Sequence, residues 1–143
     1  MTEGNPRGMK IVIDANVVIA AFATRGLCNE IFEICLIQHE IFLCDALIRE
    51  VKTGLLKKIK VPENVVENIV KFLESKTLKV KPSEVDKRIC RDSKDIMVLG
   101  TAESVGADVI LTGDKDLLVL KTYKNTKIVT PRQFLELLKQ NRS

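Results

Sequence analysis

Val109-Ile110-Leu111-Thr112-Gly113-Asp114-Lys115-Asp116-Leu117-Leu118 decides the reading of this chain: a short apolar run stops on Thr-Gly, delivers two acids and passes into a new apolar pair. Ile11-Val12-Ile13 ends in the same manner, on Asp14-Ala15-Asn16. Apolar runs this short, bounded by turn residues and followed by helical patterns, are the mark of strands buried in a parallel sheet. Ligands of open α/β sheets sit outside the carboxyl ends of the strands. Both ends here present carboxylates, so the expected occupant is a divalent cation rather than a bare phosphate.

Working outward, Asp92 opens a helix that reaches Val105 and stops at Gly106, just ahead of the strand 108–112. Beyond it come a short helix over 117–120, a last strand over 127–129, and a final helix capped by Thr130-Pro131 and reaching about Gln140. Toward the N-terminus, 16–22 reads as a short helix and 24–26 as its break. A helix over 27–38 and a strand over 41–44 follow. Asp45 is expected to cap a helix from Ala46 to about Lys60, with Leu47, Ile48, Val51, Leu55, Leu56 and Ile59 as its apolar set. Pro62 precedes a helix over 63–76, 77–80 is a short strand, and 81–90 is polar and irregular. Strands and helices alternate throughout, which predicts an α/β protein: a three-layer α/β/α sandwich on a mostly parallel sheet.

One domain spanning 9–143 is expected, preceded by a polar tail, MTEGNPRG, over 1–8. With 143 residues and 45% hydrophobic content, the chain can bury a core without disulfides or zinc. No apolar run approaches the roughly 20 residues that span a bilayer, and the N-terminus lacks a secretory apolar region, so no membrane association and a cytoplasmic location are expected. Cys28, Cys35, Cys44 and Cys90 show no C-x-x-C spacing and His39 is the single histidine, which argues against a Cys/His zinc site. All four cysteines are expected as buried thiols, and His39 as a cap at the end of its helix. The net charge of +4 favours a polyanionic partner only weakly. It gains weight if the acids cluster, because the remaining surface is then more basic.

Asp95 is the most informative acid. Val98, Leu99 and Ala102 stand at i+3, i+4 and i+7 from it, which sets the carboxylate in the middle of an apolar helix face. Unpaired burial there costs several kcal/mol, so it needs a partner. An acid favoured in the first turn by the helix dipole gains only about 0.3–1 kcal/mol, which explains Asp92 better than Asp95. Glu50 flanks its helix's apolar stripe and taken alone is a solvated surface residue; its position one turn after a strand, near the same sheet edge, raises its standing. For Asp14 and Asp114 the competing role is turn or cap chemistry, weakened because two acids end at one sheet edge. Asp116 is either a further ligand or a cap. Asn16 and Thr112 are candidates for orienting ligands or water, or for capping. Converging carboxylates repel unless a cation neutralises them. All-oxygen donors suit Mg²⁺ or Mn²⁺, which orient water and stabilise charge on a phosphodiester.

Ile11-Val12-Ile13-Asp14-Ala15-Asn16, Glu50, Arg91-Asp92-Ser93-Lys94-Asp95 and Leu111-Thr112-Gly113-Asp114-Lys115-Asp116-Leu117-Leu118 together resemble the PIN domain of VapC-type toxins and related ribonucleases, over about residues 9 to 140. The resemblance implies a sheet of about five strands. It implies Asp14, Glu50, Asp95 and Asp114 as catalytic acids, with Asp14, Asp95, Asp114 and the accessory Asp116 as metal ligands for Mg²⁺ or Mn²⁺. It also implies cleavage of single-stranded RNA, a homodimer, and an antitoxin protein as partner. The stretch 60–90 carries no matching signature. Lys57, Lys58 and Lys60 are candidates for RNA phosphate contact, against a solvated helix end as their alternative. A non-catalytic RNA- or protein-binding module on the same scaffold is the competing expectation, and the presence of all four acids argues against it. A receiver is a poor match because Thr130-Pro131, not lysine, ends the last strand, and a Toprim arrangement calls for Glu-Gly where Asp14-Ala15 stands.

Overall fold

The apolar runs become six strands of one sheet, and the 3.6-periodic segments become seven α-helices, among the residues described by the computed structural model, 8–141. The strands are β1 (Lys10–Ile13), β2 (Glu40–Leu43), β3 (Leu78–Lys79), β4 (Val109–Leu111), β5 (Thr122–Tyr123) and β6 (Thr126–Val129). The helices are α1 (Ala15–Ala23), α2 (Leu27–Gln38), α3 (Asp45–Thr53), α4 (Glu63–Lys76), α5 (Ser93–Val105), α6 (Lys115–Leu118) and α7 (Pro131–Asn141). The tail expected over 1–8 lies, Gly8 apart, outside the described residues.

Strand order is β3-β2-β1-β4-β6-β5, parallel throughout except for the β5–β6 pair. The chain moves outward from β1 through β2 to β3, then returns to the other side of β1 at β4. The order therefore reverses between β1 and β4, and that crevice is where α/β sheets bind ligands. In register, Ile11 faces Ile41 and Val109, and Val12 faces Phe42 and Ile110. Ile11, Val12, Ile13, Ile110 and Leu111 are wholly buried, as strands covered by helices on both faces require. The layered sandwich expected from the alternation is the architecture observed.

Several expectations need correction. The sheet has six strands rather than about five. The extra strand, β5, is two residues long and is turned by Lys121 and Lys124, which hold φ of 63° and 55°, a conformation for which their side chains give no warning. Asp45 does not cap α3; Cys44 occupies that position and Asp45 begins the helix. The helix expected to reach Lys60 leaves α geometry at Gly54 and continues as a π-helical turn, Gly54–Lys58, with the buried Gly54 against Ile19. Cys35, Cys44 and Cys90 are buried but Cys28 is only partly so. His39 does cap α2 as expected, through its backbone rather than its side chain. Its backbone N–H closes the helix on Cys35, while Nδ1 accepts the Met9 N–H at 3.0 Å and the ring stands edge-on to Phe134. Burial lowers its pKa, which keeps the ring neutral and able to accept.

Gly106, at φ 62°, ends α5 in the left-handed conformation. The irregular stretch after β3 is tied down at both ends: Val80 N–H donates to Leu43 O and Ser83 N–H to Gly100 O, each at 2.9 Å. Only glycine lets that strap lie so close on α5, since a Cβ at position 100 would collide with the Ser83 carbonyl oxygen. Among the described residues no helix is long and apolar enough to cross a membrane.

Candidate metal centre

Asp14 and Asp114 follow the two strands that flank the reversal point, and one residue ties them together. Thr112, fully buried, donates its hydroxyl to Asp14 Oδ2 at 2.7 Å and accepts the Asp114 N–H at 3.0 Å. Asp14 stands at the cap position of α1 but makes no side-chain cap bond. The main side-chain partner of its carboxylate is instead Thr112, with the Ala15 backbone N–H as a lesser one. Burial pushes the Asp14 carboxyl above the usual carboxylate range, and the Thr112 hydroxyl pulls the other way. Asp114 does cap α6, through Oδ1 and the Asp116 N–H at 2.9 Å.

Asp95 projects from the first turn of α5 into the interior, only 2% exposed, as its helix face requires. Its carboxyl is pushed up to about 7, first by burial and then by the neighbouring Asp114. Asp95, Asp114 and Asp116 each bring a carboxylate oxygen within 4.8 Å of the others. A buried carboxyl held so far above its ordinary range beside a second carboxylate is a group that a hard cation would relieve, and all-oxygen donors fit Mg²⁺ or Mn²⁺. Asp14 stands outside this trio but lines, with Asn16, Glu50, Asp95 and Asp114, a cleft of about 770 Å³; Asp116 lies off its wall. Glu50 is partly buried; burial raises its pKa while Lys94, 3.9 Å away, opposes the rise.

Of the lysines singled out in the sequence, Lys57 and Lys58 line the cleft, carried there by the π-helical turn. Lys60 does not; it follows the turn in a left-handed conformation, φ 62°. Arg49, Asp92 and Lys94 also line the cleft without having been singled out as site residues. Asp92 caps α5 by accepting the Lys94 N–H at 2.8 Å, the role expected of it. Cys90 was missed in a different way: its thiol donates to Asp95 Oδ2 at 3.5 Å. No periodicity could reveal that pairing, because Cys90 arrives from the irregular strap.

A family model described as PIN domain matches residues 10–116. The chain belongs to the PIN-domain family. Every acid of the site lies inside that match. No curated protein sequence matches the chain. Among solved structures, this PIN domain is similar to VapBC2 from Rickettsia felis bound to a DNA fragment from their promoter, at TM-score 0.63 and 12% identity, over 85% of this chain and 98% of that one. It is similar to PAE2754 from Pyrobaculum aerophilum at TM-score 0.60 and 17% identity, over 93% and 98% of the two chains. VapBC-1 from nontypeable Haemophilus influenzae gives TM-score 0.60 and 14% identity, over 87% and 99%. At these identities the likenesses establish the fold.

Proposed function

We propose that this PIN domain is a Mg²⁺- or Mn²⁺-dependent endoribonuclease that cuts single-stranded RNA, acting in the cytoplasm as the toxin of a toxin–antitoxin pair. The observation that carries the reading is the meeting of Asp95, Asp114 and Asp116 beside a cleft that Asp14 and Glu50 also line. Asp95, Asp114 and Asp116 hold the cation, and Asp14, steadied by Thr112, supplies a fourth carboxylate at the other strand end. A cation held there would supply Lewis-acid stabilisation of charge on the phosphodiester and would make a nearby water easier to deprotonate.

Glu50, with a pKa above the ordinary glutamate range, accepts the proton of that water. The Asn16 amide on the cleft wall helps to orient it. Lys57 and Lys58 take up phosphate oxygens of the strand, while Lys60, off the cleft wall, does not. Among the described residues no aromatic side chain lines the cleft, and the single tyrosine is buried with its hydroxyl on Glu103 at 2.6 Å, so aromatic stacking there adds little and base preference is weak. The likeness to toxin–antitoxin structures supports an antitoxin protein as partner; a homodimer is proposed on the PIN resemblance alone.

Purified protein is expected to cut a labelled single-stranded RNA in Mn²⁺ and to stop in EDTA. Asp95→Asn and Asp114→Asn should each lower the rate roughly 100-fold or more while keeping the fold by circular dichroism. Unchanged rates in both variants would overturn the proposal.

A further inference from the structure

A second cavity, of about 520 Å³, opens beside the first and shares Ala46, Arg49 and Met97 with it. The two follow one another along the carboxyl edge of the sheet in strand order. Asp114 follows β4, Asp14 follows β1, Arg49 and Glu50 rise on the helix after β2, and Lys81 follows β3. With neighbouring strands about 4.8 Å apart, β1 and β3 are separated by roughly 10 Å, which an extended nucleic-acid strand crosses in very few nucleotides.

The charge balance changes between the cavities. The first sets five acids, Asp14, Glu50, Asp92, Asp95 and Asp114, against four cations, Arg49, Lys57, Lys58 and Lys94. In the second, Asp45 is the single acid, and it is already paired with Lys79 at 3.1 Å. Arg49 and Lys81 form no ion pair with any described residue and are exposed. Val80, Pro82, Met97, Ala46 and Cys44 supply apolar wall below these cations. That wall is fixed in place by the strap bonds of Val80 and Ser83 and by the absence of a side chain at Gly100. An apolar floor under an unneutralised cationic rim suits a nucleotide, whose base and ribose bury apolar surface while its phosphate stays at the rim.

We infer that this second cavity is a substrate subsite, which takes a nucleotide flanking the bond to be cut, with Arg49 on the phosphate between the two cavities and Lys81 on the next. The inference rests on the nuclease reading for its scissile bond, but its binding test does not depend on cleavage.

The test is fluorescence anisotropy of a single-stranded RNA decanucleotide and a dinucleotide against salt, in Ca²⁺, with wild type, Arg49→Ala, Lys81→Ala and, as control, Lys71→Ala from the exposed face of α4. Removing one cation that neutralises a phosphate should reduce the slope of log affinity against log salt by about 0.7. Arg49→Ala and Lys81→Ala are expected to show that reduction with the decanucleotide and to shrink the wild type's preference for it over the dinucleotide; Lys71→Ala keeps both. Slopes for Arg49→Ala and Lys81→Ala equal to that of Lys71→Ala overturn the subsite, even if RNA is cut in Mn²⁺. Lys81-dependent binding without cleavage overturns the nuclease reading and keeps the cavity as a nucleotide-binding site with no bond to cut. A Lys81-dependent affinity for an acidic peptide that exceeds that for RNA makes the cavity a protein-docking site and overturns the inference.

Discussion

Thr112 has one hydroxyl and serves two acids with it. Because its oxygen accepts the Asp114 N–H, its proton is given to Asp14. Thr112→Val keeps the shape and removes the hydroxyl partner of the buried Asp14 carboxylate and of the partly buried Asp114 N–H, so a loss of about 1–3 kcal/mol is expected from urea unfolding, with Thr112→Ser recovering most of it. Asp95 gives a pH signature whose sign can be worked out. Its folded-state pKa of about 7 stands above the ordinary 3.8, so between those values the unfolded chain sheds a proton that the native protein keeps. Metal-free stability from this group is therefore full below about pH 4 and lost as pH climbs toward 7. Asp95→Asn lacks the dependence. In EDTA its Tm advantage over wild type should widen from pH 4 to 7 and then level off, and a flat difference would contradict the assigned burial. The inward direction of Asp95 could be read from Val98, Leu99 and Ala102 alone, since helical spacing fixes facing. The Cys90 thiol beside it could not, because its position depends on how a strap settles on Gly100.

The elements differ in how plainly the chain announces them. Helices α2 and α4 begin and end where their apolar spacing and Pro62 place them. The π-helical turn escapes notice because Leu55, Leu56 and Ile59 keep a helical rhythm through it, and β5 escapes because lysines take the backbone shape usually left to glycine or asparagine. The two buried glycines separate two kinds of crowding. A Cβ on Gly100 meets the carbonyl oxygen of a residue that is itself hydrogen-bonded in place; a Cβ on Gly54 meets the mobile tip of Ile19. Gly100→Ala should cost about 1–3 kcal/mol and speed hydrogen exchange at the Ser83 amide. Gly54→Ala, helical in conformation and gaining propensity, should stay within about 1 kcal/mol of wild type by chemical denaturation.

At the scale of the molecule, a net charge of +4 coexists with a carboxylate-rich crevice at the reversal point of the sheet. A cation that binds the native state alone at about 100 times its Kd adds about 2.7 kcal/mol, which for a chain of this size raises Tm by roughly 5–10 °C. Mn²⁺ should produce that rise in wild type and not in Asp114→Asn, read by differential scanning calorimetry with EDTA as reference. The crevice itself was foreseeable, since two short strands ending in acids require it; the second cavity was not, because it depends on the strap over 80–83, which has no periodic pattern. The rims of the sheet carry a separate consequence. Both outer strands, β3 and β5, are two residues long; Lys79 of β3 is held sideways by Asp45 and Glu74, and β5 is bent at each end by a left-handed lysine. Among the described residues neither rim offers a long straight row of amides for another chain to zip onto, which disfavours self-association by sheet extension. Among the described residues the helix surfaces are better placed to meet a second copy, with Ile37 of α2 and Val65 and Phe72 of α4 open to solvent.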